Sequence, residues 1–418
     1  MEILFIIFLC GVVYTYFGYP LLLIIMTTGK KEIGSDSLYS IATSPRDQLP
    51  TVSLIISAHN EEAVIEDKVK NSLAIDYPRE LLEIIVVSDG STDATPAIVR
   101  RFSDQGVKMV EIREHRGKTA GQNEAVRHSK GEILVFTDAN SMFEPGAVKE
   151  LIASFTGERV GCVCGELRYR NSGASSVGKS ESIYWKYEQF CKKRESLLGS
   201  LVGVNGAIYS IRRESFVDLY PDIISDFILP MEIFSRGWEV RYCSRAVAYE
   251  DTSQSFGDEF RRKKRIIVRS LHGLLRNPRF LNPFKKKSPR RHEDSKEKSS
   301  CIISSCFRAF VAIVPFSFEF FAVEIWSHKL IRWFVPVLLL GMLVSNMLLI
   351  GHTVFRPIFI VQAVFYLLAL IGMVGGERAR SWSVIYIPYY FFIINLAALK
   401  AILEFVMGER YDTWTTVR

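Results

Sequence analysis

Hydrophobic positions along this chain follow two regimes. Toward the ends they run together without a charge: residues 3–29 (27 residues), 333–355 (23), 357–376 (20) and 381–399 (19) contain no Asp, Glu, Lys or Arg. Each run is close to the roughly 17–25 residues that a helix needs to cross a bilayer, so one N-terminal and about three C-terminal transmembrane helices are expected. Between them, short β-rich runs alternate with amphipathic stretches. Residues 51–58, 83–88, 107–112 and 133–137 read as strands, and 62–73, about 93–104 and about 120–129 as helices. This β-α-β series predicts a doubly wound α/β sheet, in which a ligand lies beyond the carboxyl ends of the strands. Three of the strands run straight into polar clusters: His59-Asn60-Glu61, Ser88-Asp89-Gly90 and Asp138-Ala139-Asn140.

The pattern divides the chain into a transmembrane anchor (1–29), a Ser/Pro-containing linker (30–50), an α/β domain (51–284), a basic flexible loop (285–305), an interfacial helix (306–330) and a C-terminal transmembrane region (331–418). The interfacial assignment rests on a run at 309–318 that is apolar for only ten residues before Glu319, with Glu324 beyond it. The first run has no basic stretch before it and is too long for a secretory signal, so it reads as an uncleaved anchor. Glu2 precedes it and Lys30 and Lys31 follow. The positive-inside tendency then places the α/β domain in the cytosol, on an integral protein of the inner or plasma membrane. Pro388, with Lys400 and Glu404 further on, leaves open whether the last run crosses, bends or re-enters.

Composition narrows the function classes. With 48% hydrophobic and 23% charged residues distributed this unevenly, a purely soluble enzyme and a wholly embedded carrier are both disfavoured. The net charge of +7 gathers beside the membrane runs and at 285–298, where seven Lys/Arg face three Asp/Glu without interleaved aromatics. Nucleic acid is therefore not the expected partner; an anionic leaflet or plain solvent is. The seven cysteines are scattered and form no pair of C-x-x-C units, which suits a reduced compartment.

Two tempting motifs fail on spacing. Gly117-Lys118-Thr119 ends like a phosphate-binding loop, but the earlier glycine would fall at Ile112. The run from Asp89 to Asp93 begins like a calcium loop, yet Ala94 and Arg100 stand where glycine and glutamate are needed. Taken singly, Asp89 is either an acceptor for a bound base or part of a helix-capping turn. Asp138 and Asn140 are either oxygen ligands for a hard cation or a simple turn.

The order of the whole set decides more than any member. TVSLIISAHNEE (51–62), VVSDGSTDAT (86–95), HRGKTAGQNEAV (115–126), FTDANSMFEPGAV (136–148) and ISDFILPMEIFSRGWEVRY (224–242) together resemble family 2 glycosyltransferases of the GT-A fold. The likeness is to the membrane-anchored kind, akin to cellulose, hyaluronan and poly-N-acetylglucosamine synthases, and it extends to the Tyr19-Pro20 pair in the first apolar run. It implies a Rossmann-like mixed sheet and an inverting transfer from a UDP-sugar to a glycan acceptor in envelope or extracellular polysaccharide synthesis. A polyprenyl-phosphate or other lipid acceptor, and a non-catalytic nucleotide-binding subunit of a synthase or export complex, are the alternatives.

By the same resemblance His59, Glu61, Asp89, Lys118, Asn123 and Asp138 would bind the nucleotide sugar, with Asp89 on the uracil. Asp138 and Asn140 would hold Mg²⁺ or Mn²⁺, Asn140 standing where the D-x-D motif has its second aspartate. Asp226 would be the catalytic base, with Ser225 in place of the glutamate before it, and Trp185, Asn205 and Gly206 would face the acceptor. In EFRRKKRIIVRS (259–270), Arg265 would stabilise the departing diphosphate, and Ile266 replaces the tryptophan of the Q-x-x-R-W motif. Losing that ring puts processive elongation in doubt, and three C-terminal spans are few for a polymer channel. An oligomer or export partner is accordingly expected.

Overall fold

The computed structural model describes residues 1–30, 49–171, 173, 176–253, 255–283 and 320–411. Most of the expected linker, the basic loop at 285–305 and residues 306–319 lie outside the described residues.

The α/β domain is built on one eight-stranded sheet in the order β3-β2-β1-β4-β7-β6-β8-β5. Its strands are β1 (Val52–Ala58), β2 (Leu82–Asp89), β3 (Val107–Ile112), β4 (Ile133–Asp138), β5 (Met142–Phe143), β6 (Val160–Tyr169), β7 (Tyr209–Arg212) and β8 (Glu239–Glu250). The first four are parallel, as the alternation of strand and helix requires, whereas β7 runs antiparallel to both β4 and β6. Every residue of β1 is buried, because helices cover both faces. Ile55, Ile85 and Val87 point into one core and Leu54, Ile56, Ile84 and Val86 into the other.

Covering helices are α2 (Ile65–Leu73), α3 (Thr95–Arg100), α4 (Lys118–His128), α5 (Ala147–Ala153), α6 (Ser176–Ser196), α7 (Ser225–Ser235) and α8 (Phe256–Arg276). The helix expected over 93–104 is shorter. It ends at Arg100, and the chain turns through a 3₁₀ segment at Ser103–Gln105 to Gly106, whose φ of 79° stops any helix there.

Among the described residues, four helices are long and apolar enough to cross a membrane: α1 (Glu2–Thr27), α9 (Phe320–Leu348), α10 (Phe355–Val374) and α11 (Ser383–Val406). Residues 320–330, expected to close a separate interfacial helix, instead run unbroken into α9 through a π-helical segment at Ile325–Leu330. The buried polar side chains of Glu324 and His328 find hydrogen-bond partners on the α/β domain, which is why an apolar helix tolerates them.

The domain sits at one end of these helices. Arg194 donates to Thr27 Oγ1 (3.0 Å), Lys30 to the Leu197 carbonyl (3.1 Å), and Ser176 Oγ to Glu377 (3.0 Å). At the opposite end Phe5 packs edge-on against Phe355, and Glu2 approaches His352. Between α6 and the apolar helices lies a buried ion cluster. His328 bridges Glu188 (3.2 Å) and Glu195 (2.6 Å), Lys329 and Arg332 also reach Glu188, and the Tyr19 hydroxyl donates to Glu195 (2.6 Å).

Helix α11 behaves differently from the other three. Near its start Tyr389 packs on Phe256 and Tyr390 donates to Glu259; near its end Lys264 donates to Glu404 (2.8 Å) and the His272 ring meets Phe405. Both ends therefore contact α8. Pro388 neither breaks the helix nor turns it back, since it falls in the second turn, where its ring removes only one backbone bond.

Candidate active site

The carboxyl edge of the parallel strands carries the site, and local geometry explains how each side chain arrives there. Asp89 ends β2 and is only 3% exposed. Its carboxylate accepts the Arg116 N–H (2.9 Å) and the Gly117 N–H (2.7 Å) and meets His115 Nδ1 at 2.8 Å. His59 Nδ1 lies 2.6 Å from the Asp89 carbonyl, and the His59 and His115 rings stack at 3.7 Å. A side chain on Gly90 would sit 2.5 Å from the His115 nitrogen, so that close approach requires glycine. Asp89 thus holds the 115–117 loop by burying its carboxylate against it.

That loop launches α4 at Lys118, which pairs with Asp138 at the end of β4. From the other side, Asp226 stands in the first turn of α7. Thr119 Oγ1 donates to the Ile223 carbonyl (2.6 Å), and Arg269 of α8 donates to the Ile223 carbonyl (2.9 Å) and the Pro221 carbonyl (3.1 Å), so two helices clamp the segment leading to Asp226. The three charged groups meet around Gly206. A Cβ there would fall 2.7 Å from Asp226 Oδ2, 3.1 Å from Lys118 Nζ and 3.6 Å from Asp138 Oδ2.

Electrostatics follow from this crowding. Burial lifts the Asp226 carboxyl above the ordinary aspartate range; Lys118 opposes the rise and Asp138 reinforces it. Burial works against the Lys118 charge, but Asp138 and Asp226 hold its pKa above the usual lysine value. Glu250, at the end of β8, is raised by burial and by Asp138. Arg265 is brought down to about 10 by burial, with Arg269 and Arg262 adding repulsion and Asp138 opposing.

One cavity of about 1560 Å³ takes in Glu61, Lys118, Asp138, Asn140, Asp226 and Arg265. Trp185, Asn205, Gly206 and Ile266 line it as well. Trp185 is already anchored, its Nε1 donating to the Leu167 carbonyl (2.7 Å), and Asn205 is held by Lys192, the Gly165 carbonyl and the Cys164 sulfur. The cavity continues away from Asp226 to Tyr16 of α1 and to Ile387, Phe391 and Ile394 of α11.

Asn123 does not join the site. It is buried, and its amide donates to the Leu219 carbonyl at 2.8 Å. Five residues after Lys118 on α4, it faces about 140° away around the helix and ties α4 to the 219 segment. His59 is likewise buried, against the Asp89 loop.

Two groups escaped the sequence reading. Glu250 ends a strand in a stretch of mixed pattern, with nothing local to mark it. Lys68 is fully buried on α2 beneath the Asp138 turn; its signal was helical spacing, since it shares a face with Ile65 and Ser72 and not with the charged positions around it.

The donor set suits a divalent cation of limited kind. Asp138 and Asn140 offer a carboxylate and an amide oxygen on one turn, and among the described residues no cluster of three or more His, Cys, Asp or Glu converges on one point. Such a set fits Mg²⁺ or Mn²⁺ that completes its shell with water and phosphate oxygens, not a cation caged by protein alone.

Residues 53–219 match the model of the family described as glycosyl transferase family 2. Over 259 residues the chain is 25% identical to a poly-beta-1,6-N-acetyl-D-glucosamine synthase of Staphylococcus aureus, strain COL, covering 58% of this chain and 62% of that one. The synthase of the same name from Staphylococcus epidermidis is 26% identical over 244 residues, covering 57% and 58%. The match thus spans about three fifths of these relatives. Among solved structures, the mannosyltransferase PcManGT of Pyrobaculum calidifontis, in complex with GDP-Man and Mn²⁺, superposes with a TM-score of 0.60 at 21% identity over 95% of this chain and 99% of that one, a likeness of fold.

Proposed function

We propose, from the match of residues 53–219 to the glycosyl transferase family 2 model, that this protein is a membrane-anchored inverting glycosyltransferase moving a sugar from a UDP-sugar to an acceptor in envelope or extracellular polysaccharide synthesis. The observation that carries the reading is the convergence of Asp226, Lys118 and Asp138 on the space that Gly206 leaves open.

Asp226 takes the proton of an acceptor hydroxyl as that oxygen attacks the anomeric carbon, and the bond from that carbon to the diphosphate breaks on the opposite face. Its raised pKa makes it a better proton acceptor than an exposed aspartate. Lys118 and Arg265 offset the negative charge of the leaving diphosphate. Mg²⁺ or Mn²⁺ held by Asp138 and Asn140 would supply further neutralisation of that diphosphate. Asp89 acts at one remove, fixing through the 115–117 loop the start of α4 and so the position of Lys118. Trp185, Asn205 and Gly206 shape the acceptor side. Lys30 after α1 and the arginines at 378 and 380 fit a cytosolic catalytic domain.

A second reading, transfer to a lipid-linked acceptor, is favoured by the cavity's continuation to Tyr16, Ile387, Phe391 and Ile394 on apolar helices. If a polymer is made, so small a helix set calls for an oligomer or an export partner to pass it across the membrane.

The test is a panel of labelled nucleotide sugars given to the full chain in detergent with Mn²⁺ or Mg²⁺, following UDP release and partitioning products between water and chloroform. A water-soluble glycan supports the first reading and a chloroform-soluble product the second. UDP binding without transfer from any donor would mean a non-catalytic subunit.

A further inference from the structure

Lys68 is an ionisable side chain with no exposure at all, on a helix that faces the core of the α/β domain. Its ammonium donates to Thr137 Oγ1 at 3.0 Å and to the Ser141 carbonyl, and it lies 4.2 Å from the centre of the Phe143 ring. Thr137 and Ser141 are the residues just before and just after Asp138-Ala139-Asn140. One turn further along the same helix, Asn71 exchanges hydrogen bonds with the backbone of Phe143 (2.9 and 2.8 Å). Ser141 in turn donates to Glu250.

We propose that Lys68 is a positioning residue for the cation-binding turn: its ammonium ties the two ends of the turn together and so holds Asp138 and Asn140 side by side on the cavity wall. The inference rests on the donor and metal reading given above. The chemistry explains why a lysine stands in so unfavourable a place. Burial brings its pKa down to about 7, with Asp138 and Glu250 resisting the fall, and such a cost persists only where the group makes bonds that nothing else supplies. An apolar side chain of similar length would fill the space but leave the Ser141 carbonyl without this donor. It would also remove the attraction of Asp138 and Glu250 for the protonated amine, loosening the turn toward the cavity. Residues of this outer kind are worth roughly 10- to 100-fold in metal affinity where they orient a ligand.

The experiment compares the full chain in detergent with Lys68→Met and Lys68→Gln, reading Mn²⁺-dependent UDP binding by calorimetry and thermal unfolding beside it. Lys68→Met should raise the Mn²⁺ needed for half-maximal UDP binding roughly tenfold or more, recover the parent's UDP affinity at saturating Mn²⁺, and unfold close to the parent. Lys68→Gln, which keeps an N–H donor, should fall between them. A purely structural role would lower unfolding temperature and UDP affinity together, with no recovery by metal. The proposal is overturned if the Mn²⁺ curve of Lys68→Met lies on the parent's, if excess Mn²⁺ fails to restore binding, or if neither variant folds. A parent whose UDP binding ignores Mn²⁺ would bring down the metal reading itself, a failure visible before any variant is made.

Discussion

Replacing Asp226 by asparagine separates catalysis from stability in a way that few changes at this site do. Asparagine matches the carboxylate in size and still accepts a hydrogen bond, but it cannot take a proton. If Asp226 is the base, transfer should fall by roughly 10² to 10⁴, which at 1.36 kcal/mol per decade is about 3–5 kcal/mol of transition-state stabilisation. UDP binding should persist, since Lys118 keeps Asp138 as its partner. The stability effect runs the other way. Burial raises the Asp226 pKa above its unfolded value, so its contribution is favourable below about pH 3.9 and is lost as pH rises through the folded pKa. Above the folded pKa the parent therefore carries an ionised group that burial disfavours, and the variant does not. Its unfolding temperature should equal or exceed the parent's at pH 7 and lose that advantage near pH 4. Labelled transfer, UDP calorimetry and thermal unfolding at both pH values give the three readings. Transfer within about threefold of the parent would refute the base assignment, given the expected 10² to 10⁴. Lost transfer with a lower unfolding temperature and lost UDP binding would show that Asp226 holds the fold instead.

Gly206→Ala places a methyl 2.7 Å from Asp226 Oδ2 and 3.1 Å from Lys118 Nζ; transfer should drop at least tenfold with UDP binding largely kept, as a misplaced reacting group costs up to about 100-fold. Asp138→Ala should abolish metal-dependent donor binding, whereas Asn140→Asp should lower the Mn²⁺ requirement by adding charge to a hard cation's shell; turnover of the parent indifferent to EDTA would defeat both. Ile266 lines the cavity without a ring for sugars to stack on, so products should be short and Ile266→Trp should lengthen them, measured by size analysis under single-encounter conditions. Because both ends of α11 contact α8, a tag at the C-terminus should be protease-accessible from the same membrane face as the α/β domain, and protection from that face would refute the arrangement.

Sequence alone determined what is local in its physics. Uncharged runs announce apolar helices because length and the absence of charge are all that a bilayer demands. Alternating strand and helix announce a parallel sheet because crossovers must be covered, and polar clusters at strand ends mark the ligand edge. Asp138, Asn140, Lys118 and Asp226 were legible as candidates on those grounds together with their resemblance to family 2 motifs. Tertiary structure decided which candidates meet. Asn123 belongs to the same segment as Lys118 yet turns to the opposite side of α4, because 3.6 residues per turn carry it there. Asp89 stands at the expected strand end but spends its carboxylate on backbone N–H groups from a loop 26 to 28 residues away. The role of Lys68 follows from the β4 turn packed above it, which no pattern along its own helix records. For α11, composition suggests a crossing, while contacts at both ends with α8 set its place. Each of these rests on contacts between segments far apart in the chain, whose energies depend on distance and burial in three dimensions, and no pattern along one segment records them.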